Sequence, residues 1–165
     1  MPVLNGAPYY LSYSYQTTEN DDGRVLPNST SLSNIQWVTI PWNNQTSVPV
    51  DPAAPAPVLN GWTLLTGPCV FQITASVGID DETREAQAHI CAYEVHGDTG
   101  EEVLLRRNAW EWMVGTKEGH TVHIDGTWCG NLSAGRKLRI AVDFWHGDYS
   151  ANIIRANVAG LYWRY

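Results

Sequence analysis

The chain of 165 residues carries a formal net charge of -7 at pH 7, and only 16% of its residues are charged. Nucleic-acid backbones are bound through clustered Lys and Arg, so this charge balance argues against a nucleic-acid partner. No stretch approaches the roughly 20 apolar residues that cross a bilayer, and no basic region followed by an apolar run stands near Met1. We therefore expect a protein without membrane insertion that is made in a cytoplasm.

The first region, residues 1–47, is predicted to be an extended N-terminal arm. Tyr9, Tyr13 and Tyr15 fall on one side of an alternating pattern, which is the period of a β-strand with an aromatic face. A second short strand is predicted at 35–42, restricted by Pro41 to a sheet edge. The arm is either a docking strand that extends a partner's sheet or an ordinary outer strand of the fold. Its candidate docking residues are Tyr9, Tyr10, Tyr13, Tyr15, Trp37 and Trp42.

Residues 48–58 are predicted to be a strap between the arm and the rest of the chain. Four prolines occupy the ten residues 48–57. Proline favours extended polyproline-like backbone and removes amide donors, so this segment suits a semi-rigid spacer or a surface strap. It marks the clearest boundary in the chain.

The body, residues 59–165, reads as a series of short strands. The clearest one spans 71–79, where apolar and small or polar residues alternate without interruption. No segment has a sustained helical period, and turn residues recur at short intervals, so we predict an all-β sandwich or barrel. Strands are predicted at 62–65, 71–79, 86–95, 102–107, 109–114, 121–128, 137–145 and 157–165.

Three segments of the body resemble the tumour-necrosis-factor and complement-head superfamily. These are 62–77, with its turn before an alternating strand, the Leu-Ser-Ala-Gly-Arg segment within 131–142, and the closing Val-Ala-Gly-Leu-Tyr at 158–162. The resemblance implies a TNF-like, two-sheet antiparallel jelly-roll sandwich that forms trimers about an apolar and aromatic axis. The tyrosine-asparagine signature of complement heads and a secretion signal are missing, which disfavours an extracellular cytokine. Bacteriophage head-decoration and fibre-tip proteins use the same fold without a signal.

Residues that could carry chemistry do not form a recognised catalytic pattern, so no enzyme is expected. Cys69, Cys91 and Cys129 lie in apolar runs without Cys-x-x-Cys spacing, and we interpret them as buried free thiols. His120 and His123 fall on opposite faces of a strand, which disfavours a shared metal. No cofactor is expected, although calcium at an acidic loop or at a trimer axis is an alternative.

Tryptophans are the remaining candidates for a ligand site. Trp110 and Trp112 would share a strand face, and Trp145 lies opposite the core series of its own strand. Such rings can stack against sugars, so the three form a candidate glycan platform. Burial within the fold or in a subunit contact is the alternative.

The sequence leads to one main functional hypothesis. We expect a structural virion protein, a trimeric phage capsid decoration protein on the capsid surface, with itself and the major capsid protein as partners. The candidate trimer interface is the end of the last strand: Leu161, Tyr162, Trp163 and Tyr165. The first alternative is a receptor- or glycan-binding tip of a tail fibre, and the second is a small lectin-like or hydrolase module.

Overall fold

The computed structural model describes residues 6–16, 24–26, 38–40, 42, 44–48, 63–81, 85–96, 100–114, 120–145 and 151–165. Side chains are described for 6–15, 40, 42, 63–79, 89–96, 100–101, 103, 123–142 and 153–165. Within these ranges the chain forms strands and turns, and no helix is present. The strands are β1 (Tyr9–Gln16), β2 (Arg24–Leu26), β3 (Val38–Thr39), β4 (Asn44–Val48), β5 (Leu65–Thr66), β6 (Cys69–Asp81), β7 (Glu85–His96), β8 (Glu102–Val114), β9 (His120–Leu132), β10 (Arg136–Trp145) and β11 (Ala151–Arg164).

These strands form two antiparallel sheets. The first sheet has the order β4-β1-β11-β6-β9, with β2 also paired to β11. The second sheet has the order β3-β10-β7-β8, with β5 also paired to β10. From β8 onward the chain changes sheet at every connection, as in a jelly roll. The predicted all-β sandwich of two antiparallel sheets is therefore confirmed.

The core lies between the sheets and follows the alternation seen in the sequence. On β6, Phe71, Ile73, Ala75, Val77 and Ile79 are buried, whereas the residues between them include the exposed Gln72 and Thr74. The second sheet contributes Leu138, Ile140 and Val142 from β10 and Ile90 and Ala92 from β7. A strand with one buried face must alternate in this way because successive side chains point to opposite sides of the sheet.

The N-terminal tyrosines belong to the sandwich itself, which corrects part of the predicted arm. β1 lies between β11 and β4 and is hydrogen-bonded to both, so it is an interior strand of the first sheet. Tyr13 and Tyr15 are in the core, as is Trp42, so these three cannot serve as exposed docking residues in the folded chain. Alternation predicts that one face of β1 is buried, but it does not say whether the chain itself or a partner covers that face. Trp37 and residues 49–58 of the predicted strap lie outside the described residues.

Two further predictions need correction. The strands predicted at 102–107 and 109–114 are one strand, β8, whose pairing with β7 shifts between Ile90 and Cys91 and again between Ala92 and Tyr93. Such shifts absorb an extra residue in one strand without ending the strand. Asn108, which separates the two predicted strands, therefore lies within β8. Cys69 and Cys91 are buried thiols outside any disulfide, as predicted, but Cys129 is exposed, because it follows the inward-facing Trp128 on β9.

The second sheet is also packed on the side that faces away from the first sheet. Cys91, Tyr93 and Val95 of β7 and Ala141 of β10 form a buried cluster there, separate from the main core. These residues alternate with the core residues Ile90, Ala92 and Val142 of the same strands, so they lie on the outer face. Both faces of β7 are therefore buried in its central part.

Candidate interaction surfaces

The predicted trimer-interface residues divide between two faces of β11. Leu161 is 38% exposed and Tyr165 is 37% exposed, while Trp163 is half-buried. Tyr162 lies between them in sequence, points into the core and is 2% exposed. Tyr162 is therefore wrong as a surface residue, because the period of a strand sends it to the side opposite Leu161 and Trp163.

Tyr162 instead anchors the end of β11 at the rim of the core. Its ring stacks on Tyr9, with ring centroids 5.2 Å apart and an interplanar angle of 21°. The Arg164 guanidinium lies over the same ring at 5.2 Å and donates hydrogen bonds to the carbonyl oxygens of Thr66 and Pro68. Cation and ring thus hold the last strand against the loop that precedes β6.

The outer face of the first sheet is ordered in cross-strand rows. Directly paired residues of an antiparallel sheet share a face, so the register defines which side chains are neighbours. One row runs from Tyr10 through Leu161 and Gln72 to Cys129. The following rows are Ser12-Ala159-Thr74-Thr127, Ser14-Asn157-Ser76-Asp125 and, at the far end, Gln16-Arg155-Gly78-His123.

One end of this face carries an apolar patch, which we define as Tyr10, Val70, Leu161, Trp163 and Tyr165. Tyr10 is 44% exposed and is paired directly with Leu161, while Trp163 is paired with Val70. The Tyr165 hydroxyl reaches the side chain of Asn131 on β9, which fixes the ring above β6. Among the described side chains, three of the four exposed large hydrophobic residues lie in this patch, and the fourth is Val103 on β8. The exposed apolar surface is therefore concentrated.

Among the described side chains, the rest of the outer face of the first sheet is mostly polar, and its charged residues stand toward the far end. In the middle, the hydroxyls of Thr74 and Thr127 are 3.0 Å apart across the β6-β9 pair. At the far end, Arg155 Nη2 lies 2.8 Å from His123 Nε2, with Gly78 on the strand between them. The guanidinium can only donate, so the imidazole nitrogen is the acceptor of this contact. Along the outer face of the first sheet, the apolar patch is therefore followed by hydroxyl-bearing rows and then by charged residues.

The N-terminal docking residues that remain accessible belong to the same region. Tyr10 is exposed and is part of the apolar patch, and Tyr9 is half-buried beside it through its stack on Tyr162. Of the six residues predicted for docking, only these two are placed near the surface by the described structure. A docking surface that uses both would therefore adjoin the candidate trimer interface.

The three candidate glycan-binding tryptophans are brought together on the other sheet. β7 lies between β10 and β8, and its residue Gln87 pairs with Trp145 on one side and Trp112 on the other. In the next row of the same face, His89 pairs with Asp143 and Trp110. The neighbouring row on the opposite face contains the core residues Val142 and Ile90, so both tryptophan rows occupy register positions on the outer face of the second sheet.

The described side chains were compared with the requirements of a metal site. They contain no group of three or more His, Cys, Asp or Glu that could hold a metal ion. His120 and His123 lie on one continuous strand, β9, without a turn that would bring them to the same face. The described part also contains no helix that is long and apolar enough to cross a membrane.

Comparison with known proteins bears on the fold alone. No protein-family model matches the sequence, and no curated protein matches it. Nine chains of solved structures match the structure. One of them, Eiger TNF from S. frugiperda, is similar over 93% of this chain and 92% of that chain, with 11% sequence identity and a TM-score of 0.49. The jelly-roll arrangement itself follows from the strand pairing of this chain.

Proposed function

We propose that the chain is a structural, non-enzymatic protein of a bacteriophage virion: a homotrimeric capsid decoration protein that binds the major capsid protein. The observation that carries the self-association is the apolar patch on the outer face of the first sheet. The trimeric state, the virion setting and the capsid partner are extensions from the resemblance to decoration proteins of the same fold. Cysteines that form no disulfide are compatible with assembly in a bacterial cytoplasm.

The apolar patch favours contact with protein over contact with water. Aromatic residues are enriched in the buried centres of interfaces, where charged residues are depleted, and the patch combines Tyr10, Trp163 and Tyr165 with two aliphatic residues. Its members are fixed by the pairing of β1, β6 and β11, so little side-chain and backbone order must be gained on binding. Concentrated apolar surface of this kind marks an interaction site in a soluble protein.

Attachment to the capsid is proposed to involve the chain before β1 together with Tyr9, since Tyr10 belongs to the patch assigned to self-association. The register places Tyr9 beside Tyr162, so the chain enters the first sheet at the end that carries the apolar patch. A trimer built through this patch would therefore carry its three N-terminal segments close to one another. Three linked segments bind a repetitive capsid more tightly than one, because the second and third contacts are intramolecular.

The oligomer is tested by light scattering on the purified chain. We expect a mass of three times 18.4 kDa for the wild type and a monomer for Leu161→Arg, which places a charge in the centre of the patch. Val103→Arg is the matched control, since Val103 is 41% exposed but lies on β8 of the second sheet, and it should remain a trimer. A monomeric wild type, or a trimeric Leu161→Arg variant, would overturn the proposed interface.

The capsid contact is tested separately by co-sedimentation with heads of the phage that encodes the chain. A deletion of residues 1–7 stops before β1, so it should preserve the trimer and the thermal unfolding temperature while abolishing co-sedimentation. Extending the deletion through β1 would not be informative, since an interior strand would be lost. Unchanged binding by the 1–7 deletion would refute the proposed docking segment, and failure of the wild type to bind heads would refute the decoration role.

A further inference from the structure

We propose that the outer face of the first sheet carries a second contact surface, on β6 and β9, which receives the apolar patch of a neighbouring copy. This receiving surface consists of four exposed, uncharged residues: Gln72, Thr74, Thr127 and Cys129. The inference rests on the self-association proposed above and identifies the partner surface of the patch. The observation behind it is that one sheet face is divided into two adjacent blocks, an apolar one centred on β11 and a polar one on β6 and β9.

Symmetry requires two surfaces on each copy of a trimer. A patch that contacts the same patch of a second copy forms a twofold dimer, in which both partners use one surface. In a closed ring of three, each copy instead contacts its two neighbours through two different surfaces. If the apolar patch serves one neighbour, a different part of the chain has to serve the other. The receiving surface adjoins the patch on the same face, since Gln72 is paired directly with Leu161.

The area of the patch also points to a second surface. Its three most exposed members, Tyr10, Leu161 and Tyr165, are 44%, 38% and 37% exposed. Since a whole aromatic side chain buries about 150–250 Å², the patch exposes on the order of 300 Å². A stable contact between two proteins buries about 800 Å² on each partner. The patch alone is therefore too small, and a neighbouring copy has to cover more of the same face.

The receiving surface is uncharged and can be covered at low cost. Gln72 pairs with Cys129 and Thr74 with Thr127, so the four side chains form one compact block. The hydroxyls of Thr74 and Thr127 are 3.0 Å apart and share a hydrogen bond, which lowers the cost of removing them from water. Residues 126–135 contain no charged residue. Charged residues are depleted at the buried centres of interfaces, so this stretch suits a contact.

The edge of the first sheet at β9 lacks the features that keep sheet edges apart. Among the described strands of this sheet β9 is the last, and its 13 residues pair with β6 without a register shift. Its sequence contains no Pro, Lys or Arg. By contrast β8, at the edge of the second sheet, contains Arg106 and Arg107, and its pairing with β7 shifts twice. Charged side chains and bulges protect edge strands from contacts, so β9 is the edge that remains available to a neighbouring copy.

A disulfide cross-link tests the contact between the patch and the receiving surface. Tyr10→Cys places a thiol in the patch, and Ser12→Cys places one on the same face of β1 without removing a patch residue. Mild oxidation of either variant should join the new thiol to Cys129 of the neighbouring copy and yield covalent trimers on a non-reducing gel. Within one copy this link is excluded, because β1 and β9 are three strands apart, about 14 Å, which is beyond the reach of a disulfide.

Two controls accompany the cross-link. Ser14→Cys lies on the same face of β1 but farther from the patch, so it should give clearly less covalent trimer than Ser12→Cys. Adding Cys129→Ser to the Tyr10→Cys chain should remove the product, because the receiving thiol is then absent.

A charge placed in the receiving surface tests it without added thiols. Thr127→Lys should raise the dissociation constant of the oligomer, measured by sedimentation, by about tenfold or more, because the contact has to cover an unpaired charge. His123→Lys is the matched control, since His123 is exposed on the same face of β9 near its far end, and its dissociation constant should stay within about twofold of the wild type.

The outcomes distinguish the receiving surface from the proposed trimer. A wild type that is trimeric in light scattering, but gives no covalent trimer with either cysteine variant or tolerates Thr127→Lys, would overturn the receiving surface and leave the trimer standing. Efficient formation of covalent dimers through Cys129 of the wild type would show a twofold contact and overturn the head-to-tail arrangement. A monomeric wild type would overturn both proposals.

Discussion

Tyr13 shows how one side chain connects the two sheets. Its hydroxyl donates a 3.0 Å hydrogen bond to the carbonyl oxygen of Leu64, whose amide in turn donates to the carbonyl oxygen of Leu138 in the second sheet. Its ring meets Trp42 edge to face, with centroids 6.1 Å apart. Tyr13, which the sequence suggests for docking to a partner, therefore connects β1 to the second sheet.

Replacement of Tyr13 by Phe should lower the free energy of unfolding by about 1–2 kcal/mol, because the buried Leu64 carbonyl loses a hydrogen-bond donor while the ring packing is kept. The measurement is urea unfolding followed by tryptophan fluorescence. Tyr10→Phe is the control, since Tyr10 is exposed, and its midpoint should stay close to that of the wild type. Equal midpoints for the two variants would contradict the role assigned to the Tyr13 hydroxyl.

Gly160 provides a second test at a single residue, because β11 and β6 approach closely there. A methyl group on Gly160 would overlap the carbonyl oxygen of Gln72 and stand 2.7 Å from Ile73 Cα. Backbone atoms cannot move aside cheaply, so Gly160→Ala should cost about 3 kcal/mol.

Gly130→Ala is the comparison for this substitution, and thermal unfolding is the measurement. The nearest atoms there belong to the Phe71 ring at 3.2 Å, and a side chain can shift. We expect the Gly130 variant to lose clearly less stability than the Gly160 variant. The reverse order would show that the β11-β6 contact is looser than described.

At the scale of single residues, sequence periodicity predicted well which side chains of a strand are buried. It predicted poorly which part of the protein covers them. It identified the buried series from Phe71 to Ile79 because β6 has one uninterrupted inward face. It could not tell that Tyr13 and Tyr15 are covered by the chain's own second sheet, since that depends on contacts between residues far apart in sequence. Cys129 was assigned to the interior from its apolar neighbours, although its position after Trp128 places it on the outer face.

Among the elements, β11 holds the central position. It is hydrogen-bonded to β1, β2 and β6, and its end is fastened by Arg164 to the carbonyl oxygens of Thr66 and Pro68. A charged group that serves two carbonyl oxygens and one aromatic ring contributes more than an exposed ion pair would. The sequence predicted β11 as a closing strand, but the partner of its arginine lies almost a hundred residues earlier and left no local signal.

Arg164→Ala should therefore destabilise the chain by about 2 kcal/mol, through loss of the hydrogen bonds and of the contact with Tyr162. Chemical denaturation gives this value. Arg155→Ala is the matched control, because that guanidinium is exposed and contacts only the exposed His123 among the contacts described for it, and its effect should stay within about 0.5 kcal/mol. Similar losses for both arginines would argue against the fastening role of Arg164.

At the scale of the whole molecule, the sandwich presents two outer faces of different chemistry. The first sheet shows an apolar patch that grades into hydroxyl and charged rows, and the second sheet gathers tryptophan positions among polar ones. The sequence indicated the tryptophans Trp110 and Trp112 as neighbours because they are two apart on a strand. The sequence also named Trp145, but the adjacency of its strand and the positions of Gln87 and Asp143 required the pairing of three strands, which no local pattern encodes.

The uncharged character of the patch leads to a prediction about the assembly as a whole. The dissociation constant of the oligomer, measured by sedimentation at 0.05 and 0.5 M salt, should change by less than about threefold, because screening acts on charges and Tyr10, Leu161 and Trp163 carry none. A steep dependence on salt would move the interface toward Arg155 and Asp125 at the opposite end of the same face.

The pairing of β1 with β11 has a consequence for the order of events during synthesis. Tyr9–Gln16 pairs with residues 155–162, so β1 is translated well before the strand that pairs with it. The edge of β1 that pairs with β11 stays without this partner until residues 155–162 have been translated. Contacts this distant in sequence make folding slow, so the nascent chain is expected to depend on protection of its early tyrosines, and assembly can begin only after translation of β11.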